Sequence, residues 1–93
     1  MANNKTVSTK EKLIERFKTL PRDFTFDEMV RLFAVFGFEV DKKGGSSGSR
    51  LAFVNTKEDL SYNMHRPHPG SIIKMYVMKQ VLEYMIKNSF IKK

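Results

Sequence analysis

Two histidines, His65 and His68, stand three positions apart and are the only histidines in the chain. Imidazole is the side chain whose unperturbed pKa permits proton exchange near neutral pH, so these residues are the candidates for acid–base chemistry. Pro67 and Pro69 stiffen the backbone between and after them. The alternative for either histidine is a hydrogen bond across the turn with a purely structural role.

The chain has a net charge of +7, and most of the excess lies in the half that contains the histidines. Residues 1–40 hold seven Lys or Arg against six Asp or Glu, whereas residues 41–93 hold ten against four. Concentrated positive charge on a small protein favours polyanionic partners, nucleic acid first and an acidic membrane surface second. The alternative is an ordinary solvated basic surface.

The composition predicts a single folded domain over residues 1–93, with residues 1–8 frayed. Hydrophobic residues make up 41% of the chain, and eight Phe and six Met supply bulky core side chains. The absence of cysteine excludes disulfides and thiolate metal sites, and two histidines among scattered carboxylates make a poor zinc set. We therefore expect no metal and no cofactor. Without a membrane-length apolar run or a signal-peptide core, we expect a cytoplasmic protein with no membrane partner.

Helical periodicity appears at both ends of the sequence. A first helix ends at Pro21, and a second begins with a capping box of Thr25 and Glu28 and ends at Gly37. A last helix is predicted from a cap at Gly70 or Ser71 to about residue 88. Its apolar positions are Ile72, Ile73, Tyr76, Val77, Met78, Val81, Leu82, Met85 and Ile86.

Three strands are predicted between the second and last helices, over residues 38–41, 51–54 and 60–65. In the third strand Leu60, Tyr62 and Met64 alternate with polar residues, which places His65 on the opposite, outer face of the sheet. Short connections indicate an antiparallel meander. The fold class is therefore α+β, with helices packed on one face of a three-stranded antiparallel sheet in the order α-α-β-β-β-α.

This order of motifs resembles the HicA family of bacterial toxins, the mRNA interferases that pair with HicB antitoxins. The resemblance runs from about residue 12 to residue 91, and it depends on order and spacing, since no single motif is very specific. The matching motifs are the Leu13-Ile14-Glu15-Arg16-Phe17 helix start, Gly37-Phe38-Glu39, Gly48-Ser49, His65 followed by Pro69-Gly70, and Met78-Lys79-Gln80-Val81-Leu82. The resemblance implies a double-stranded-RNA-binding-domain-like fold, RNA as the target and a HicB-like antitoxin as partner.

One departure from the family concerns catalysis. Family members commonly have Gly-Ser-His at the start of the second strand, and the resemblance makes that histidine the expected catalytic residue. This chain has Gly48-Ser49-Arg50 instead. A guanidinium group stays protonated and cannot act as a base, although Arg50 could hold a phosphate or stabilise developing negative charge.

Metal-independent RNA cleavage needs a base for the 2′-hydroxyl proton, an acid for the leaving 5′-oxygen and positive charge at the phosphate. His65 and His68 are the predicted catalytic residues, and His65 is preferred because it faces outward. His68 is expected to shape the turn or contact RNA. The predicted RNA-binding residues are Lys42, Lys43, Ser49, Arg50, Arg66, Lys74 and Lys79.

Each group of binding residues has a plainer interpretation. The glycine- and serine-rich residues 44–49 could hold a phosphate through backbone N–H groups and hydroxyls, or could be a flexible linker. Lys74 and Lys79 lie on the last helix, where the family's fold would contact phosphates, but a solvated helix face has the same pattern.

Three functional hypotheses remain open at the level of sequence. The first is a HicA-like toxin that binds and cleaves mRNA through His65 and is inhibited by a HicB-like antitoxin. The second is an RNA-binding relative that lost cleavage together with the Gly-Ser-His histidine. The third is an interaction protein whose basic face meets an acidic protein partner.

Overall fold

The computed structural model describes residues 9–41, 50–65 and 71–92. The elements are α1 (Thr9–Lys18), α2 (Phe26–Val35), β1 (Glu39–Asp41), β2 (Arg50–Asn55), β3 (Leu60–His65) and α3 (Met75–Lys87). This order and the antiparallel sheet β1-β2-β3 confirm the predicted α+β architecture. None of the helices in these ranges is both long enough and apolar enough to span a membrane.

The predicted capping box begins α2. The Thr25 hydroxyl accepts a hydrogen bond from the backbone N–H of Glu28 at 3.2 Å, and the Glu28 carboxylate accepts one from the Thr25 N–H at 2.9 Å. Both N–H groups belong to the first turn, where a helix has no internal acceptor for them. The helix ends at Val35, with Phe36 as its C-cap residue, just before the predicted stop signal Gly37. Gly37 has a φ of +94°, a conformation that costs glycine little.

The helices pack against one face of the sheet. Phe33 of α2 stacks on Phe53 of β2 with ring centroids 4.0 Å apart, and Tyr84 of α3 lies against Tyr62 of β3 at 4.7 Å. The alternating residues of β3, including His65, are exposed on the opposite face. The buried apolar side chains form one cluster: Phe17, Phe24, Met29, Leu32, Phe33, Phe38, Leu51, Phe53, Ile73, Met78, Val81, Met85 and Ile91.

Arg16 joins α1 to the start of α2. Its guanidinium group donates hydrogen bonds to both carboxylate oxygens of Glu28, at 3.0 and 3.2 Å, and also contacts the Asp23 carboxylate at 3.1 Å. The bond from Arg16 lowers the pKa of Glu28; burial opposes this effect, and the bonds from Thr25 add to it. Glu28 therefore serves both the capping box and the contact between the two helices.

Asn55 is the buried polar residue of the core, with 2% of its surface exposed. Its side-chain amide donates to the carbonyl of Phe36 at 3.0 Å, and its side-chain oxygen accepts from the N–H of Glu58 at 3.0 Å. A Cβ added at Gly37 would lie 3.2 Å from the same amide nitrogen. Asn55 thus connects the end of α2 to the turn between β2 and β3.

The predicted start of the last helix is wrong. α3 begins at Met75, four residues after Ser71, and Lys74 is its N-cap residue with extended backbone and no side-chain capping bond. Gly70, the other predicted cap, lies outside the described residues. The apolar spacing of Ile72 and Ile73 therefore does not belong to a helix.

An antiparallel bridge explains the later helix start. The N–H of Phe26 donates to the carbonyl of Ser71 at 3.0 Å, and the N–H of Ile73 donates to the carbonyl of Phe24 at 2.8 Å. Because these bonds hold residues 71–73 in an extended conformation, neighbouring side chains point in opposite directions. Ile73 is buried in the core, whereas Ile72 is exposed.

We predict that Asn55→Ala lowers the free energy of unfolding by about 1–3 kcal/mol, because it leaves the Phe36 carbonyl and the Glu58 N–H without their partner. Urea unfolding measures the change. Asn63→Ala, at an exposed position of β3, is the matched control and should stay within about 0.5 kcal/mol of the unmodified chain. Equal losses from both variants would contradict the proposed role of Asn55.

We also predict that Glu28 makes an acid-sensitive contribution to the free energy of unfolding. Since its pKa is lowered in the folded state, this contribution is present above the ordinary glutamate pKa of about 4.3 and is lost as the pH falls through the lower folded value. The free energy of unfolding should therefore fall less steeply with acidification in Glu28→Gln than in the unmodified chain. Glu83→Gln, at an exposed position of α3, is the matched control for the loss of a carboxylate.

Candidate functional site

The register of the sheet places Arg50 directly opposite His65. The two residues are Cα partners across β2 and β3. Directly opposed residues in an antiparallel pair have Cα atoms about 4.5–5.5 Å apart. Position 50 is where the family resemblance implies a catalytic histidine. His65 therefore occupies the neighbouring strand at the same level of the sheet.

His65 is exposed on the outer face of β3, as the alternation in the sequence predicts. Met64, its neighbour, points toward the helices and packs against the core. A histidine on the accessible face can meet a large substrate without any rearrangement of the core. This exposure is consistent with the preference for His65 in the sequence analysis.

A pocket of about 390 Å³ lies between the end of β3 and the start of α3. Its walls come from the last residues of β3, from the extended bridge and from the first turn of α3. The lining residues are Met64, His65, Ser71, Ile72, Ile73, Lys74, Tyr76 and Val77. The bridge to residues 24–26 holds one wall in place, so the pocket depends on the late start of α3.

Two apolar side chains in this lining are exposed. Ile72 has 52% and Tyr76 has 59% of its surface accessible, and they are the exposed large hydrophobic residues of the described part of the chain. Both are predicted as apolar positions of the last helix; Tyr76 does lie in α3, but Ile72 precedes it. A helical wheel could have found Tyr76, because at 100° per residue it lies half a turn away from Met85, which is buried.

Lys74 is the predicted cation that the structure brings to the pocket. Its side chain is exposed and lines the pocket, whereas Lys79 is exposed on α3 outside the lining. No carboxylate is present among the described lining residues. Lys42, Lys43, Ser49, Arg66 and His68 lie outside the described residues, and Arg50 is described by its backbone alone.

The outer face of the sheet also carries negative charge. Glu39 and Asp41 of β1 alternate with Val40, which pairs with the core residue Phe53. Both carboxylates therefore belong to the outer face, at the edge farthest from His65. This arrangement makes the β3 and α3 side the better side for a polyanion.

Metal ligands do not gather anywhere in the described ranges. Residues 9–41, 50–65 and 71–92 contain no group of three or more His, Cys, Asp or Glu side chains placed to hold an ion. The described lining of the pocket offers an imidazole from His65, an ammonium group from Lys74 and apolar walls.

A family model described as HicA toxin of bacterial toxin-antitoxin matches residues 26–85. The chain belongs to the HicA toxin family. The match extends from the start of α2 into the last turns of α3, and it includes both position 50 and His65. Curated proteins and solved structures gave no significant match. The helix and strand order of the structure is consistent with the fold of HicA toxins.

The opposite orientations of Ile72 and Ile73 give a direct test of the pocket wall. We predict that Ile73→Ala lowers the free energy of unfolding by about 2–5 kcal/mol, since a buried aliphatic side chain is removed. Ile72→Ala should change it by less than about 0.5 kcal/mol. Chemical unfolding of the two variants measures the difference. Similar losses for both would mean that the bridge does not hold residues 71–73 as described.

Proposed function

We propose that this HicA family member cleaves mRNA by metal-independent acid–base chemistry, with His65 as the general base in place of the Gly-Ser-His histidine. The observation that supports this proposal is the pairing of Arg50 with His65 across β2 and β3. Because directly opposed positions share one face of a sheet, an imidazole from position 65 can serve the region that position 50 serves in the family.

The proposed reaction breaks one bond and forms one. His65 takes the proton of a ribose 2′-hydroxyl, and the 2′-oxygen attacks the adjacent phosphorus. The bond from phosphorus to the 5′-oxygen breaks, and that oxygen receives a proton from an acid, for which His68 is the candidate. The products are a 2′,3′-cyclic phosphate and a 5′-hydroxyl end.

Positive charge is the second requirement, because negative charge develops on the phosphate oxygens. Lys74 lines the pocket beside His65, and Arg50 stands opposite His65 in the register. We assign phosphate contacts to these two residues. Lys42, Lys43, Ser49, Arg66 and Lys79 are proposed to bind the RNA on either side of the cleaved bond.

Inhibition by a partner follows from the exposure of the site. His65, Ile72 and Tyr76 are all accessible, so a protein that covers the pocket would keep RNA away from His65, the proposed general base. We propose a HicB-like antitoxin as that protein. An acidic surface on the antitoxin would complement Lys74 and the net charge of +7.

The test is cleavage of a labelled mRNA fragment in the presence of EDTA. We predict that His65→Ala reduces the cleavage rate by about 10²- to 10⁴-fold, the usual contribution of a general acid or base. Asn63→Ala, two residues away on the same exposed face, is the matched control and should retain the rate. A His65→Ala variant that cleaves at the unmodified rate would contradict the assignment.

A second variant tests whether a histidine at position 50 can replace the histidine at position 65. Arg50→His, introduced into His65→Ala, restores the family's Gly-Ser-His motif opposite the vacated position. We expect part of the lost activity to return, because the new imidazole enters the same region of the sheet. The analysis of the RNA ends should show cyclic phosphates in both active proteins.

One observation favours a second candidate function, RNA binding without cleavage. Arg50 replaces the expected catalytic histidine, and a guanidinium group can bind phosphate but cannot accept a proton. Salt-sensitive binding of intact RNA by the unmodified chain, with no cleavage, would establish this alternative.

A further inference from the structure

The two exposed large apolar side chains of the described residues lie in one place. Ile72 and Tyr76 both line the pocket that contains His65, although they come from different segments, the bridge and α3. Scattered single apolar residues are normal on protein surfaces. Two that line the same pocket as the proposed general base indicate a surface for a ligand.

The properties of the pocket fit one nucleobase better than a protein partner. A volume of about 390 Å³ lies in the range of small-ligand sites, about 300–1,000 Å³. The described lining combines an aromatic ring and an aliphatic side chain with Lys74, and it contains no carboxylate. This combination provides a flat apolar surface for a base and a cation for the adjoining phosphate.

We propose that Tyr76 stacks on one unpaired base of the RNA, with Ile72 as the second apolar contact, and so positions the neighbouring phosphate at His65. This inference rests on the proposed function and deepens it, because it names how the substrate is held. A base inside a duplex is already stacked on both sides and cannot enter the pocket. The preferred substrate is therefore a single strand or a loop.

The contact also explains the exposure of Tyr76. The buried residues of α3, Met78, Val81 and Met85, face the core, and Tyr76 projects from the first turn on another side of the helix. Tyrosine has few rotatable bonds, so it loses little conformational entropy when a ligand binds. The ring is thus a preorganised stacking surface next to His65.

The experiment measures the binding of short 2′-O-methyl oligoribonucleotides of each base, which lack the free 2′-hydroxyl and cannot be cleaved. Each is compared with versions that carry an abasic residue at one position. The proteins are the unmodified chain, Tyr76→Ala, Tyr76→Phe and Gln80→Ala. Gln80 is exposed on the same helix outside the pocket lining, which makes it the matched control.

We expect Tyr76→Ala to weaken binding by about 5- to 150-fold, the effect of one base–aromatic stack, and Tyr76→Phe and Gln80→Ala to bind within about twofold of the unmodified chain. At one position of the oligonucleotide, an abasic residue should weaken binding by the unmodified chain but not by Tyr76→Ala. The salt dependence should be unchanged in Tyr76→Ala and less steep in Lys74→Ala, because only the lysine neutralises a phosphate.

Binding by Tyr76→Ala at the unmodified affinity would overturn the inference. A contact with a protein partner would then be the better explanation for the exposed Ile72 and Tyr76. A loss that is the same for intact and abasic oligonucleotides at every position would also overturn it. The proposed role of His65 in cleavage can be contradicted independently of the stacking contact. If the abasic residue shows that Tyr76 contacts one nucleobase while His65→Ala cleaves normally, the stacking contact stands. The assignment of His65 as the general base is then wrong.

Discussion

Two backbone hydrogen bonds between residues 24–26 and 71–73 determine the geometry around His65. They hold residues 71–73 extended, and α3 therefore starts at Met75 and not directly after Ser71. The extended alternation sends Ile73 into the core and Ile72 toward solvent. The same bridge fixes one wall of the pocket, because residues 71–74 are four of the eight described lining residues. The bridge is held in place at its other side by Phe24, which is fully buried in the core.

The register of β2 and β3 is the second constraint on the site. Phe53 pairs with Tyr62 on the inner face, so a shift by one residue would move His65 inward and expose the aromatic side chains. Asn55 secures the other end of the two strands by bonding to the turn that joins them. The packing of the inner face thereby sets which positions pair across the two strands, including positions 50 and 65.

Charge is distributed unevenly between β1 and the pocket beside β3. β1 carries Glu39 and Asp41, while the pocket between β3 and α3 carries Lys74 without a described carboxylate. Arg16, another cation, is committed to Glu28 and Asp23 and stabilises the contact between α1 and α2. Among the described residues, the charges therefore favour the β3 side for the proposed contact with RNA.

Local spacing and the order of motifs were enough to predict the α+β order, the capping box of Thr25 and Glu28, the outward direction of His65 and the HicA family. Local patterns could not show that residues 71–73 would pair with residues 24–26, so the apolar spacing of Ile72 and Ile73 predicts a helix where the chain is extended. They also could not place Arg50 opposite His65, since a register depends on how two strands pack on the same core. The tertiary structure decided both because each depends on contacts between segments far apart in the chain.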